Sequence, residues 1–148
     1  MKEITWKKVD PKTVQSMFCA LNKHIKNFDY TEEKFFNFTN EPKTVSGSHS
    51  IFQIYIDRDI VGFCAFRPGF AIPNSVCYLS YLYVKEEFRN QGIGTQIIRN
   101  LPKMFEQVYH RKMEILYLNY SYQNEQAAKF YKRFELKPCS VEGFITFD

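Results

Sequence analysis

A chain of 148 residues, 45% apolar and 24% charged, suits one globular domain with one core rather than a disordered or fibrous protein. Its net charge of +4 is carried by scattered lysines and arginines, which argues against a nucleic-acid binder but suits a small polyanionic ligand. No apolar run approaches the ~20 residues of a membrane span, and the opening MKEITWKKVD has no apolar core of a secretory signal.

Cys19, Cys64, Cys77 and Cys139 are far apart, with no CxxC or Cys/His cluster, so no zinc site is encoded. They read as reduced core thiols of a cytoplasmic protein. Aromatic residues reach 18%, enough for a core and a pocket lining.

ITWKKV predicts a first strand. DPKTVQSMFCALNKHI predicts a helix capped by Asp10, with Pro11 in its first turn and an apolar stripe of Val14, Met17, Phe18, Leu21 and Ile25. TEEKFFNF predicts a second, short helix, and EPKTVSGSHS a loop. SIFQIYID and IVGFCAF predict a hairpin turning at Asp57, Arg58 and Asp59. After the loop RPGFAIPNS, VCYLSYLYV is apolar and aromatic throughout, as a strand buried on both faces would be. A helix follows, with Ile93, Ile97, Leu101, Met104 and Val108 on one face, and Pro102 predicts a kink or break near Asn100. EILYLNYS predicts a strand, NEQAAKFYKRF a helix and GFITF a terminal strand. The reading is a mixed α/β single domain over residues 1–148.

Between the strand YLSYLYV and its helix lies Arg89-Asn90-Gln91-Gly92-Ile93-Gly94. The first turn of a helix offers unpaired N–H groups and the positive end of the dipole. Glycines there admit a ligand to the backbone, so the stretch fits an anion cradle, most simply for phosphate. It is no Walker loop, since Gly-Thr lacks the lysine, and it lacks the third glycine of a dinucleotide fingerprint. Taken alone, it fits equally well a helix start with glycines for packing.

Arg89-x-x-Gly92-x-Gly94 after LYV resembles the pyrophosphate signature Q/R-x-x-G-x-G/A of the GNAT acetyltransferase superfamily. A second motif agrees in Asn124, Ala127 and Tyr131, but Glu135-Leu136 stands where that family often has Gly-Phe, which reads as a changed helix end. The likeness covers residues 45 to 148 and, in layout only, those before. It implies a GNAT-like fold: a mostly antiparallel twisted sheet of 6–7 strands, about four flanking helices, and fourth and fifth strands splayed apart.

The resemblance implies acetyl-CoA as co-substrate, no metal, and a primary amine of a small molecule or peptide as acceptor, attacked directly in a ternary complex. The pyrophosphate would lie on Arg89, Asn90, Gln91, Gly92, Ile93, Gly94 and Thr95. The peptide-like pantetheine would pair with the backbone of Leu82, Tyr83 and Val84, where a strand amide would also stabilise the negative oxygen of the tetrahedral intermediate. Asn124, Ala127 and Tyr131 would flank the cofactor from the last helix, with Tyr131 as the acid for the departing thiolate. A core aromatic is the plainer reading of Tyr131.

Some family members place a carboxylate base six residues before the valine. Here that position is Tyr78, and VCYLSYLYV contains no acid. The base is therefore on another element or is a water chain; Glu114, where the fifth strand begins, is a candidate, while Tyr117, Asn119 and Tyr120 orient water or substrate, or pack. His24, His49 and His110 read as surface or turn residues, and Lys132 and Arg133 as a solvated helix face. Aromatic residues from 28 to 38 (Phe28, Tyr30, Phe35, Phe36, Phe38) are expected to line the acceptor pocket. A monomer or homodimer acting without nucleic acid or membrane completes the expectation. The alternative is a non-catalytic acyl-CoA-binding or sensing module; Asn124 and Tyr131 favour catalysis.

Overall fold

A computed structural model describes residues 2–29, 44–69, 75–141, 143 and 145. They fall into two compact units, Met1–Leu21 with Pro42–Asn119, and Asn22–Glu41 with Tyr120–Asp148.

The first unit holds β1 (Ile4–Val9), a 3₁₀ turn (Pro11–Val14) and the start of α1 (Gln15–Asp29). It continues with β2 (Ser50–Ile56), β3 (Asp59–Pro68), β4 (Val76–Val84), α2 (Ile93–Tyr109) and β5 (Ile115–Tyr117). Asp10 caps the 3₁₀ turn by accepting from the Thr13 amide at 3.1 Å. Spatial order follows sequence order, with antiparallel pairing from β1 to β4 and parallel pairing of β4 with β5. The β2–β3 hairpin turns at Asp57, whose φ of 53° is left-handed.

Strand alternation assigns the two faces. Phe66 lies against Phe105 and Tyr109 of α2, and the Cys64 sulfur is 3.8 Å from that of Met104. Tyr81, paired with Ala65 and so on the other face, meets Phe18 of α1 edge-on at 5.0 Å. Of the predicted stripe, Val14 in the 3₁₀ turn and Met17, Phe18 and Leu21 in α1 are buried, and Ile25 is partly buried.

Four expectations change. Five strands and three α-helices are found among the described residues, not 6–7 and four. Gly143 and Ile145 lie in no strand, and residues 136–141 are exposed throughout, so they present no buried face for pairing. The rest of GFITF, the helix over 31–38 and the side chains of Phe28, Tyr30, Phe35, Phe36 and Phe38 lie outside the described residues.

The strands buried on both faces are β2, over Ser50–Ile54, and β3, over Val61–Phe66, rather than β4. Only Cys77 and Leu79 of β4 are buried, because its neighbour β5 is three residues long. Next, of the kink or break expected at Pro102 the break is ruled out: α2 runs through Pro102 as one helix. Pro102 is exposed, and Ile97, Ile98, Leu101, Met104 and Phe105 are buried on either side of it; that packing outweighs one missing N–H. Finally, of the four thiols only Cys64 and Cys77 are in the core, where burial pushes both far above the ordinary thiol range; Cys19 and Cys139 are exposed.

Candidate active site

The glycine stretch joins β4 to α2. A 3₁₀ turn over Glu86–Phe88 uses the Phe88 and Arg89 amides, which donate to the Lys85 and Glu86 carbonyls. Asn90 and Gly92 are then both left-handed, at φ 63° and 77°. Gly92 is the N-cap of α2 and has no side chain to offer the first turn. The first amides of α2 have no intrahelical acceptor. Two left-handed residues before an uncapped helix start turn successive N–H groups into one concavity, suited to an anion. The Arg89 side chain turns back instead: its Nε donates to the Val84 carbonyl at 2.9 Å, and its guanidinium lies 5.6 Å from the centre of the Tyr83 ring.

The edge of β4 leads into this concavity. Pairing with β5 covers Val76, Cys77 and Tyr78 only. From Leu79 to Val84 that edge has no partner strand among the described residues. The Lys85 amide donates to the Val61 carbonyl at 2.8 Å, so by alternation Tyr83 and Tyr81 direct their backbone to β3. Leu82 and Val84 direct theirs to the open edge, where a peptide-like ligand can add as a strand. Gly62 makes this packing possible: a Cβ there would clash with the Tyr83 carbonyl. The Gln96 side chain ties the helix to β1, accepting from the Ile4 amide and donating to the Lys2 carbonyl, both at 2.9 Å. Its role was not read from the sequence, because its partners are 92 and 94 residues away.

The register also shifts within β4. Ala65 pairs with Tyr81 and Phe66 with Leu79, which leaves Ser80 as the extra residue of a bulge. On the α1 face, His49 Nε2 sits 2.9 Å from the Ser80 hydroxyl, and the ring tilts against Tyr81 at 5.9 Å. His49 closes a turn, its amide donating to the Ser46 carbonyl at 3.1 Å, and it is half-buried, so the turn reading holds and the surface reading does not; His110, exposed at the left-handed end of α2, is a turn residue. Burial and the nearby Arg67 charge hold the imidazole below the ordinary histidine range, against the Ser46 carbonyl, which raises it. Beyond the bulge, Tyr78 accepts from the Asn119 side-chain amide at 2.9 Å, lies tilted against Tyr117 at 5.2 Å, and carries the Arg67 guanidinium 5.1 Å from its ring centre. Asn119 and Tyr117 therefore orient Tyr78. Glu114 is exposed, and its amide donates to Ser75.

The second unit carries the other motif, on α3 (Glu125–Lys132). Asn124 is the N-cap: its Oδ1 accepts from the Ala127 amide at 3.1 Å. Tyr131 stacks on Tyr120 at 5.7 Å and meets Phe130 edge-on at 5.0 Å. Burial, then Tyr120, pushes its hydroxyl up to about 12, so it stays protonated at neutral pH. Glu135, where the resembled family has glycine, is left-handed at φ 59°. The turn expected of a glycine is thus kept, and the helix end is not remodelled. Among the described residues no group of His, Cys, Asp and Glu could hold a metal ion, and no helix is long and apolar enough to cross a membrane.

The model of the acetyltransferase (GNAT) family matches residues 16–135. Among solved structures, the fold is similar to that of an aminoglycoside acetyltransferase from an uncultured soil metagenomic sample in complex with sisomicin, with a TM-score of 0.63, 16% identity, and 98% of this chain and 97% of that one covered. It is similar to the ribosomal-protein-alanine N-acetyltransferase of Brucella melitensis biovar Abortus 2308, with a TM-score of 0.63, 16% identity, and coverage of 98% and 99%. A GNAT family acetyltransferase from Elizabethkingia anophelis with acetyl-CoA bound matches at a TM-score of 0.58, 15% identity, and coverage of 90% and 76%. At such identities the likeness is one of fold. No curated protein gives a significant match to the sequence.

Proposed function

The chain belongs to the GNAT acetyltransferase family, and on that premise we propose that it moves an acetyl group from acetyl-CoA to a primary amine of a small molecule or peptide, by direct attack in a ternary complex. The observation that carries the reading is the open β4 edge from Leu79 to Val84 running into the left-handed, uncapped start of α2. A peptide-like arm ending in a pyrophosphate needs those two surfaces in that order.

Acetyl-CoA supplies an activated acyl carbon and a thiolate leaving group. The amides from Asn90 to Thr95 hold the pyrophosphate, with Gly92 and Gly94 leaving the backbone bare. Leu82 and Val84 pair with the pantetheine amides, while Tyr83, whose backbone faces β3, contributes its ring. Arg89 supports the end of the slot by fixing the Val84 carbonyl. A backbone N–H of β4 stabilises the oxygen of the tetrahedral intermediate. Tyr131, protonated at neutral pH, supplies the proton to the departing sulfur. Asn124 acts through Ala127, by holding the start of α3. A single domain over residues 1–148 acts in the cytoplasm, as a monomer or homodimer.

The relatives named above act on an aminoglycoside and on ribosomal-protein alanine, which recommends both kinds of amine as first acceptors to try. The test has two arms. Calorimetric titration should show acetyl-CoA binding that Gly92→Val weakens by roughly tenfold or more, since a β-branched residue is strained at φ 77° and its side chain fills the approach to the backbone. Release of CoA thiol with an aminoglycoside, a polyamine or an alanine-initiated peptide should exceed that without an acceptor. Binding without turnover of any amine would return the chain to the class of acyl-CoA-binding modules.

A further inference from the structure

We propose that His49, acting through the Ser80 hydroxyl, takes the proton from the acceptor amine. The inference rests on the acetyl-transfer reading, and it fills a gap in it: β4 contains no acidic residue, and Tyr78 stands where a carboxylate base would.

The geometry has three parts. First, His49 Nδ1 lies 3.3 Å from the Ser46 carbonyl, which can only accept. The hydrogen therefore belongs on Nδ1, and Nε2 is left with a lone pair facing the Ser80 hydroxyl at 2.9 Å. Second, Ser80 is the bulged residue of β4, just past the last residue pair with β5 at Tyr78 and just before Leu82 opens the slot. A bulge at such a place re-aims a side chain. Third, among the described residues the titratable and charged groups that face the ring are Arg67 from β3 and Tyr81 from β4. Burial and the Arg67 charge favour the neutral ring, the form a base needs at neutral pH.

An amine arriving as its ammonium gives one proton to the Ser80 oxygen as Ser80 passes its own to His49 Nε2. The freed nitrogen lone pair forms the C–N bond to the acetyl carbon. The C–S bond breaks with its electron pair on sulfur. The nitrogen loses a second proton, which balances the one taken up by the departing thiolate. His49 then returns its proton to solvent, so each ammonium consumed releases one proton. A purely structural His49 would only pin the segment ahead of β2 to β4.

The test uses the full chain with acetyl-CoA and three acceptors: an aminoglycoside, spermidine and an alanine-initiated peptide. In His49→Gln, kcat/KM should fall roughly 10²–10⁴-fold, with acetyl-CoA affinity unchanged by calorimetry. Ser80→Ala should fall by less and keeps the test open if the first variant does not fold. Wild-type kcat/KM should rise with pH and level off below the ordinary histidine value, a limb His49→Gln loses. Turnover at the wild-type rate with an unchanged profile in a folded His49→Gln overturns the inference and leaves the acetyl-transfer reading standing. If the wild type acetylates none of the three, that reading fails, and ¹⁵N imidazole spectra decide the inference separately. An unprotonated Nε2 at neutral pH whose shift moves in Ser80→Ala supports it; a protonated Nε2 overturns it.

Discussion

The two units that carry the two halves of the GNAT motif are held together by different means. Every buried hydrophobic side chain among the described residues lies in the sheet unit, from Ile4 to Phe105, and none lies in the second unit. The sheet unit presents backbone: left-handed Asn90 and Gly92, and the open edge of β4, all backed by β3 and α2. The second unit presents a side chain, the Tyr131 hydroxyl, held by a helix cap at Asn124 and by the rings of Tyr120 and Phe130. Amides aimed at an anion must be fixed by a dense core, because a strand edge cannot adjust one residue at a time. A phenol has its own torsions, and ring packing is enough to aim it.

That contrast breaks first in the core. Phe66 stacks on Phe52 at 5.8 Å and packs against Phe105 and Tyr109. Phe66→Ala should cost about 3–5 kcal/mol, much of a domain's stability. Denaturant unfolding checks this, and acetyl-CoA affinity should collapse with the fold. A loss under about 1 kcal/mol would mean that the sheet does not depend on its buried rings.

Tyr131→Phe probes the other side. The ring and its stacking remain, so stability and acetyl-CoA affinity should change little. Turnover should fall by roughly 10²–10⁴, the usual worth of a positioned acid, and the loss should appear in kcat more than in KM. Steady-state kinetics with the acceptor found active decides it. Near wild-type turnover with chemistry rate-limiting would make Tyr131 a structural ring and leave the proton to water.

What could be read from the sequence follows the same division. Local signals were readable: alternation about Asp57 and Arg58 announced the β2–β3 hairpin, and the spacing of Arg89, Gly92 and Gly94 announced a strand–loop–helix with bare backbone. Features that depend on a distant partner were not. The half-exposure of β4 follows from the shortness of β5, and nothing in VCYLSYLYV encodes its neighbour's length. Pro102 was read by its local cost, which the buried residues flanking it overcome. His49 finds its partner 31 residues away, and a histidine before an apolar strand is a weak signal on its own.

The smallest effect concerns the two left-handed positions that bound the motif helices. At the start of α2 the chain uses Gly92, at φ 77°, but at the end of α3 it uses Glu135, at φ 59°. A left-handed conformation costs an L-residue roughly 1–2 kcal/mol, and helices commonly end on glycine for that reason. The Glu135 amide donates to the Lys132 carbonyl at 3.0 Å and the Phe134 amide to that of Tyr131 at 3.0 Å, so the helix end is already formed and glycine would only remove strain. Glu135→Gly should therefore stabilise the chain, less the greater entropy glycine recovers on unfolding, by about 1 kcal/mol or below. Scanning calorimetry should show Tm raised by about 2–4 °C at most, with no gain in Glu135→Ala, which keeps the Cβ. Because no residue of α3 is fully buried and Tyr131 is only partly so, its end geometry should weigh on Tyr131 as well: α3 amide exchange should slow in Glu135→Gly while that of β3 stays unchanged. Equal slowing in β3 would mean that the two units unfold as one, and that the division between the proposed core-built cradle and the proposed cap-built acid does not extend to their stability.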